Sequence, residues 1–166
     1  TKIHKMKRTI LSAVMLIAIG FSACTDTETK KEKAEIIQTQ KANSMNNLIS
    51  IVEIPVTDFS RAVKFYQAIS GLAIEEMEMD GNQMGILPNE EGTVNVVLVK
   101  GKDYNPTADG AVIYLNAGSD LQAMLNKVEQ NGGQVIFPKT EISPEMGYFA
   151  LFIDTEGNKL GLHSSN

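Results

Sequence analysis

From Ile51 onward the sequence passes twice through the same order of elements, and that duplication limits the folds open to it. The first pass opens with the strand-like run from Ile51 to Val56. Phe59, Ala62, Val63, Tyr66 and Ile69 follow at helical spacing, and Gly71 ends the helix. Three further strand-like runs follow: Leu72 to Met79, Gln83 to Leu87 and Val94 to Val99, separated by turns at Asp80-Gly81 and Glu91-Gly92. The second pass has a strand from Ala111 to Leu115 and a helix capped by Ser119 that carries Leu121, Met124, Leu125 and Val128. Gly132-Gly133 closes that helix, and Gln134 to Phe137, Tyr148 to Ile153 and Lys159 to His163 complete the set. The helix-ending glycines Gly71 and Gly132 lie 61 residues apart, and the turns at Glu91-Gly92 and Glu156-Gly157 lie 65 apart. Equal order at a near-constant offset predicts an α+β domain of two βαβββ modules over residues 47–166.

The segment before this domain has a different composition. Residues 1–23 hold four of the 15 Lys and Arg and none of the 20 Asp and Glu, so the remainder is strongly acidic. An acidic domain repels phosphate backbones, and nucleic acid is not an expected partner. Lys5, Lys7 and Arg8 precede an uncharged run from Thr9 to Cys24 that is too short to span a bilayer as a helix. A basic start, a short apolar core and small residues at the end are the pattern of a secretory signal over residues 1–23. FSAC, Phe21 to Cys24, resembles the lipobox of bacterial lipoproteins, with Phe21 where Leu is more usual. That resemblance implies a lipidated Cys24 holding the protein to a bacterial envelope membrane, on its periplasmic or extracellular face. Residues 24–46 are rich in Thr, Lys, Glu, Gln and Asn with almost no apolar periodicity, the composition of a flexible tether. With one cysteine and two histidines, the chain has no intrachain disulfide and no Cys/His zinc cage.

Within the duplicated region the run VTDFSRAVKFY, Val56 to Tyr66, precedes Gly71, Gly132-Gly133 precedes a strand, and DTEGN, Asp154 to Asn158, precedes the last strand. In this order the motifs resemble the vicinal-oxygen-chelate superfamily of glyoxalases, bleomycin-resistance proteins and dioxygenases, over roughly Leu48 to Ser164. Within it the chain is most similar to relatives of lactoylglutathione lyase. The resemblance implies two modules whose curled antiparallel or mixed sheets surround a cleft for a small ligand, usually with a divalent metal. It also implies that the metal is held by one side chain from the first and one from the last strand of each module. By position these fall on Ile51, Val96, Ala111 and Gly161, with Asn95 or Val97 replacing Val96 on a shift of one. Ile51, Val96, Ala111 and Gly161 cannot ligate a divalent ion through their side chains. No metal and no cofactor are therefore expected.

Strand alternation leaves a polar pair beside the vacated positions. Glu53 shares the face of Ile51, and His163 shares the face of Gly161. They are the candidates for catalysis, and with Gln83, Asn95 and Tyr148 the candidates for ligand binding. The plainer reading puts His163 in solvent near the chain end and Glu53 at a solvated rim. The acidic cluster of Glu75, Glu76, Glu78 and Asp80 reads as a solvated strand face and turn, and Phe59, Phe65 and Tyr66 read as core.

These observations predict a membrane-anchored domain that binds a small organic molecule without metal. The alternatives are a lactoylglutathione-lyase-like or other lyase, isomerase or dioxygenase activity at a non-standard or metal-free site, and an envelope protein–protein interaction module. A homodimer is left open. Cys24→Ser is expected to move the protein from the membrane fraction to the soluble fraction without unfolding the domain. Wild-type protein that takes up no radioactive fatty acid would contradict lipidation.

Overall fold

Two copies of one strand–helix–three-strand unit, each built on its own sheet, make up the computed structural model, which describes residues 47–166. The signal, Cys24 and the tether lie outside the described residues. The first module runs β1 (Ile51–Pro55), α1 (Phe59–Ser70), β2 (Glu75–Met79), β3 (Asn82–Ile86) and β4 (Asn95–Lys100). The second runs β5 (Ile113–Asn116), α2 (Gln122–Gln130), β6 (Gln134–Ser143), β7 (Gly147–Ile153) and β8 (Lys159–Ser164). The sheets have the orders β1-β4-β3-β2 and β5-β8-β7-β6, and they do not close into a barrel. In each the first and last strands pair in parallel and the other neighbours antiparallel. A parallel pair needs a crossover, and the helix of each module lies between its first strand and the rest.

Helix α1 forms where the sequence places apolar residues three and four apart. Asp58 caps it by accepting the Arg61 N–H at 3.1 Å, and Gly71 ends it at φ 74°, a left-handed conformation that costs glycine nothing. Its buried stripe is Phe59, Ala62, Val63, Phe65, Tyr66 and Ile69. Burying each large apolar side chain contributes about 1.5–3 kcal/mol. Phe65 packs edge-on against Tyr66, with centroids 5.2 Å apart, and reaches Phe152 of the second module at 6.2 Å. Helix α2 starts differently from the expected Ser119 cap. Asp120 accepts the Gln122 N–H at 2.9 Å, while the Ser119 carbonyl accepts from Asn166.

Strand alternation divides each sheet into a face packed on the helices and a face turned away from them. Val52, Ile54, Val96 and Leu98 of the first sheet and Ala150, Phe152, Leu160 and Leu162 of the second join one core with the helices. Glu53 and Val97 are paired on the opposite face, as are Tyr114 and Gly161. Strand β6 is longer than the apolar run ending at Phe137 suggests. It is an edge strand, and it continues through Pro138 to Ser143 with register shifts on both sides of the proline. A residue without an N–H is tolerated at an edge and at a bulge.

One turn ties the modules together. The Glu156 carboxylate accepts from the Thr57 N–H at 3.0 Å, the Thr57 hydroxyl at 2.8 Å and the Asp58 N–H at 2.9 Å. It also accepts from Arg61, Nε at 2.8 Å and Nη2 at 3.0 Å. Beside it Asp154 accepts from the buried Tyr66 hydroxyl at 2.7 Å, and Asn158 donates to the Pro55 carbonyl at 2.8 Å. The side chain of Glu156 has no exposed surface. Burial raises its pKa, but the bonds from Arg61, Asp58 and Thr57 prevail and hold it at about 2.

A carboxyl group whose folded pKa lies below its ordinary value of 4.5 contributes stability that is present above about pH 4.5 and lost as pH falls toward 2. Glu156→Gln is expected to lower stability by roughly 1–3 kcal/mol at pH 7. It should also flatten the loss of stability between about pH 4.5 and 2 that the wild type shows. Denaturant unfolding at a series of pH values measures both effects, and parallel pH curves for the two proteins would refute this role.

Candidate functional site

The faces turned away from the helices are where the family's metal positions fall, and strand pairing fixes which residues occupy them. The Val56 N–H donates to the Val99 carbonyl, and the Ala117 N–H donates to the His163 carbonyl. Val56 therefore matches Ala117, and Val99 matches His163. Counting back, Ile51 corresponds to Val112, not to Ala111, and Gly161 corresponds to Val97, not to Val96. Ala111 precedes β5 in a connecting segment, and Val96 packs toward the helices. The corrected set is Ile51, Val97, Val112 and Gly161, and it offers no ligating side chain.

The geometry at Gly161 is a second argument against a metal. Tyr114 lies directly opposite on β5, and its ring rests on the glycine so closely that a Cβ there would collide with it. The space of a ligating side chain is taken by an aromatic ring. Among the described residues no three His, Cys, Asp or Glu side chains converge. The residues present do not fit the divalent ion that the fold family implies.

What occupies this part of the second sheet is an aromatic surface. Phe149 pairs with His163 across β7 and β8, and its ring stands 6.4 Å from Tyr114 at 64°. Phe137 of β6 stacks on the other side of Phe149, at 5.2 Å and 16°. Ile142 and Met146, on either side of the β6–β7 turn, complete a hollow of about 410 Å³ with Tyr114, Phe149 and His163. No carboxylate or ammonium group lines it. Tyr114 is 47% exposed, Phe137 41% and Met146 59%, so a ligand there would cover apolar surface now in water. The His163 imidazole donates from Nε2 to the Met146 carbonyl at 2.7 Å, which fixes the ring beside the hollow.

The five residues proposed from sequence are spread over both sheets and both faces. His163 lies at the hollow. Glu53 lies on the corresponding face of the first sheet, where it accepts from the Tyr104 hydroxyl at 2.9 Å, and that bond raises the Tyr104 pKa. No hydrogen bond or ion pair joins Glu53 to His163 among the described residues, so the structure does not assemble them into an acid–base couple. Asn95 stands opposite Ile51 and accepts from Asn89 at 3.0 Å. Gln83 shares the face of Gly85, whose missing Cβ would contact Phe59 and Ile74, and so lies on the helix side. Tyr148 also lies on the helix side, packed against the core, with the Lys139 ammonium 4.6 Å above its ring.

Tyr114, Phe137, Ile142 and Met146 were not singled out in the sequence. An aromatic residue opposite a glycine is a usable signal only once the pairing of β5 with β8 is known.

The geometry agrees with comparison to known proteins. Residues 48–162 match the model of the Glyoxalase/Bleomycin resistance protein/Dioxygenase superfamily. A glyoxylase-like domain-containing protein of Didymella fabae is 32% identical over 124 residues, 69% of this chain and 91% of that protein. A glyoxalase I mutant from Zea mays superposes with a TM-score of 0.56 at 18% identity, over 70% of this chain and 46% of that one. The chain thus spans about half the length of the maize enzyme. TnmS3, an antibiotic binding protein from Streptomyces sp. CB03234, superposes at 0.54 with 20% identity, over 72% of this chain and 97% of that one. Residues 48–162 place this chain in the glyoxalase/bleomycin resistance protein/dioxygenase superfamily.

Proposed function

We propose that the domain binds a small, flat, largely apolar organic molecule on the aromatic face of the second sheet, without a metal. The observation that carries this reading is the row of rings formed by the exposed Tyr114 and Phe137 with the half-buried Phe149 between them, Tyr114 filling the space above Gly161. Aromatic pairs of this kind contribute about 0.5–1.5 kcal/mol beyond the area they bury, and a stacked ligand extends the same geometry. The hollow has few polar groups and no charged carboxylate or ammonium, which favours an uncharged ligand over a phosphate or a carboxylate. TnmS3, which shares the fold, is described as an antibiotic binding protein, in keeping with a binding role for this domain. Glyoxalase-type catalysis has less support, because Glu53 bonds to Tyr104 and His163 to the Met146 carbonyl rather than to each other, and the metal positions lack donors.

Attachment to a bacterial envelope through lipidated Cys24 belongs to the same proposal, and it would place the binding face outside the cytoplasm. Among the described residues no helix is long and apolar enough to cross a membrane.

Calorimetric titration with a neutral bicyclic aromatic such as 1-naphthol tests the binding face. Phe149→Ala should weaken binding by about 5- to 30-fold, the equivalent of roughly 1–2 kcal/mol. Glu53→Ala, on the other sheet, should bind as the wild type does. No binding to the wild type, or equal binding by Phe149→Ala, would refute the assignment.

A further inference from the structure

The two modules meet at two junctions related by the duplication, and only one is closed. At the closed junction the β7–β8 connection, Asp154 to Asn158, bonds to the β1–α1 connection through Glu156. The matching segments at the other junction are the β3–β4 connection, which carries Glu91-Gly92, and the β5–α2 connection, Ala117 to Leu121. Among the described residues no hydrogen bond joins them. Asn89 bonds to Asn95, Thr93 to the Glu90 carbonyl, and the Asn116 side chain accepts from the Gly118 N–H, all within one module.

A cavity of about 430 Å³ fills the place of the missing clasp. Its walls come from both modules: Ile69 of α1, Leu87 of the β3–β4 connection, Val96 of the first sheet, Leu115 of the second and Met124 of α2. None of its lining residues is charged. Its polar groups include the Asn89 and Asn116 amides, while the Tyr66 hydroxyl in its wall is committed to Asp154 and the Ser70 hydroxyl to the Tyr66 carbonyl and the Leu72 N–H. A groove of about 760 Å³ shares Pro88, Asn89, Val94, Val96, Leu115 and Asn116 with the cavity and extends past Ile49 and Val52, giving a way in.

We infer that this junction is a second ligand site, on the helix side of the sheets, for an uncharged and mainly apolar small molecule. An empty apolar cavity of this size forfeits the contacts that close packing supplies, and a ligand restores them. A charged ligand would be desolvated among side chains that offer no counter-charge. The Asn89 and Asn116 amides can donate and accept, so a single hydroxyl, carbonyl or amide on the ligand would orient it. The cavity is separate from the aromatic face, whose hollow lies on the opposite side of the second sheet and shares none of its lining residues; Tyr114 lines both that hollow and the groove.

The neutral fluorophore N-phenyl-1-naphthylamine, titrated into the full chain with its methyl groups isotope-labelled, tests the inference. Fluorescence should rise on binding, and the methyl resonances of Leu87, Leu115 and Met124 should shift with it. Ala117→Phe projects a ring into the cavity and should weaken this binding at least tenfold. Val94→Phe narrows it from the β3–β4 connection and serves if Ala117→Phe does not fold. Shifts confined to Ile142 and Met146 would assign the probe to the aromatic face and overturn the inference. No fluorescence rise, or undiminished binding in a folded filling variant, would overturn it as well.

Discussion

A single carboxylate holds the two halves of this domain in register. Glu156 takes five hydrogen bonds from Thr57, Asp58 and Arg61, across a sequence separation of 95 to 99 residues. Such a group would be costly to bury alone, and here every lone pair facing the protein meets a donor. The consequences reach beyond the turn. The clasp fixes the start of α1, which sets Phe65 against Phe152 and the Tyr66 hydroxyl against Asp154. The shared core of both sheets and both helices then follows from that placement.

The two halves repeat one order of elements but differ at matching places. The junction with Glu156 is a closed polar lock, while its counterpart is an apolar gap. The paired positions Val97 and Gly161 differ in the same manner. In the first sheet the strand opposite Val97 carries Glu53, bonded to Tyr104. In the second, the glycine admits the Tyr114 ring and starts an aromatic row. With no side chain at Gly161, the Tyr114 ring occupies the space that a ligating residue there would need.

Much of this fold is legible in the sequence because it depends on local patterns. The helical spacing from Phe59 to Ile69, the glycines that end the helices and the repeated order of strands need no long-range information. Which way a strand residue points is less secure, since a shift of one residue reverses the face. That is why the repeat offset points to Ala111 and Val96 where strand pairing gives Val112 and Val97, and why the sequence does not fix that Gln83 and Tyr148 lie on the helix side. The extension of β6 was hidden by Pro138, which reads as a strand end unless the strand is known to be at an edge. Both sides of the clasp stand in motifs that the sequence shows, Val56 to Tyr66 and Asp154 to Asn158, but the sequence does not show their bonding, because a contact between residues 99 apart has no period to detect. The lack of donors at the family's metal positions can be read from the sequence, and Phe149 can be read from it as a cleft or core residue, whereas the stacking of Tyr114 and Phe137 around it depends on strand pairing.

The central claim is that Tyr114 and its neighbours form a binding face that works without a metal. The direct measurement is a titration of 1-naphthol followed by the ring resonances of Tyr114 and Phe149, once in the presence of a strong chelator and once with added zinc or nickel. The account predicts that both rings shift and that the dissociation constant is the same in the two titrations. Rings that do not respond, or that respond only when metal is supplied, would contradict it.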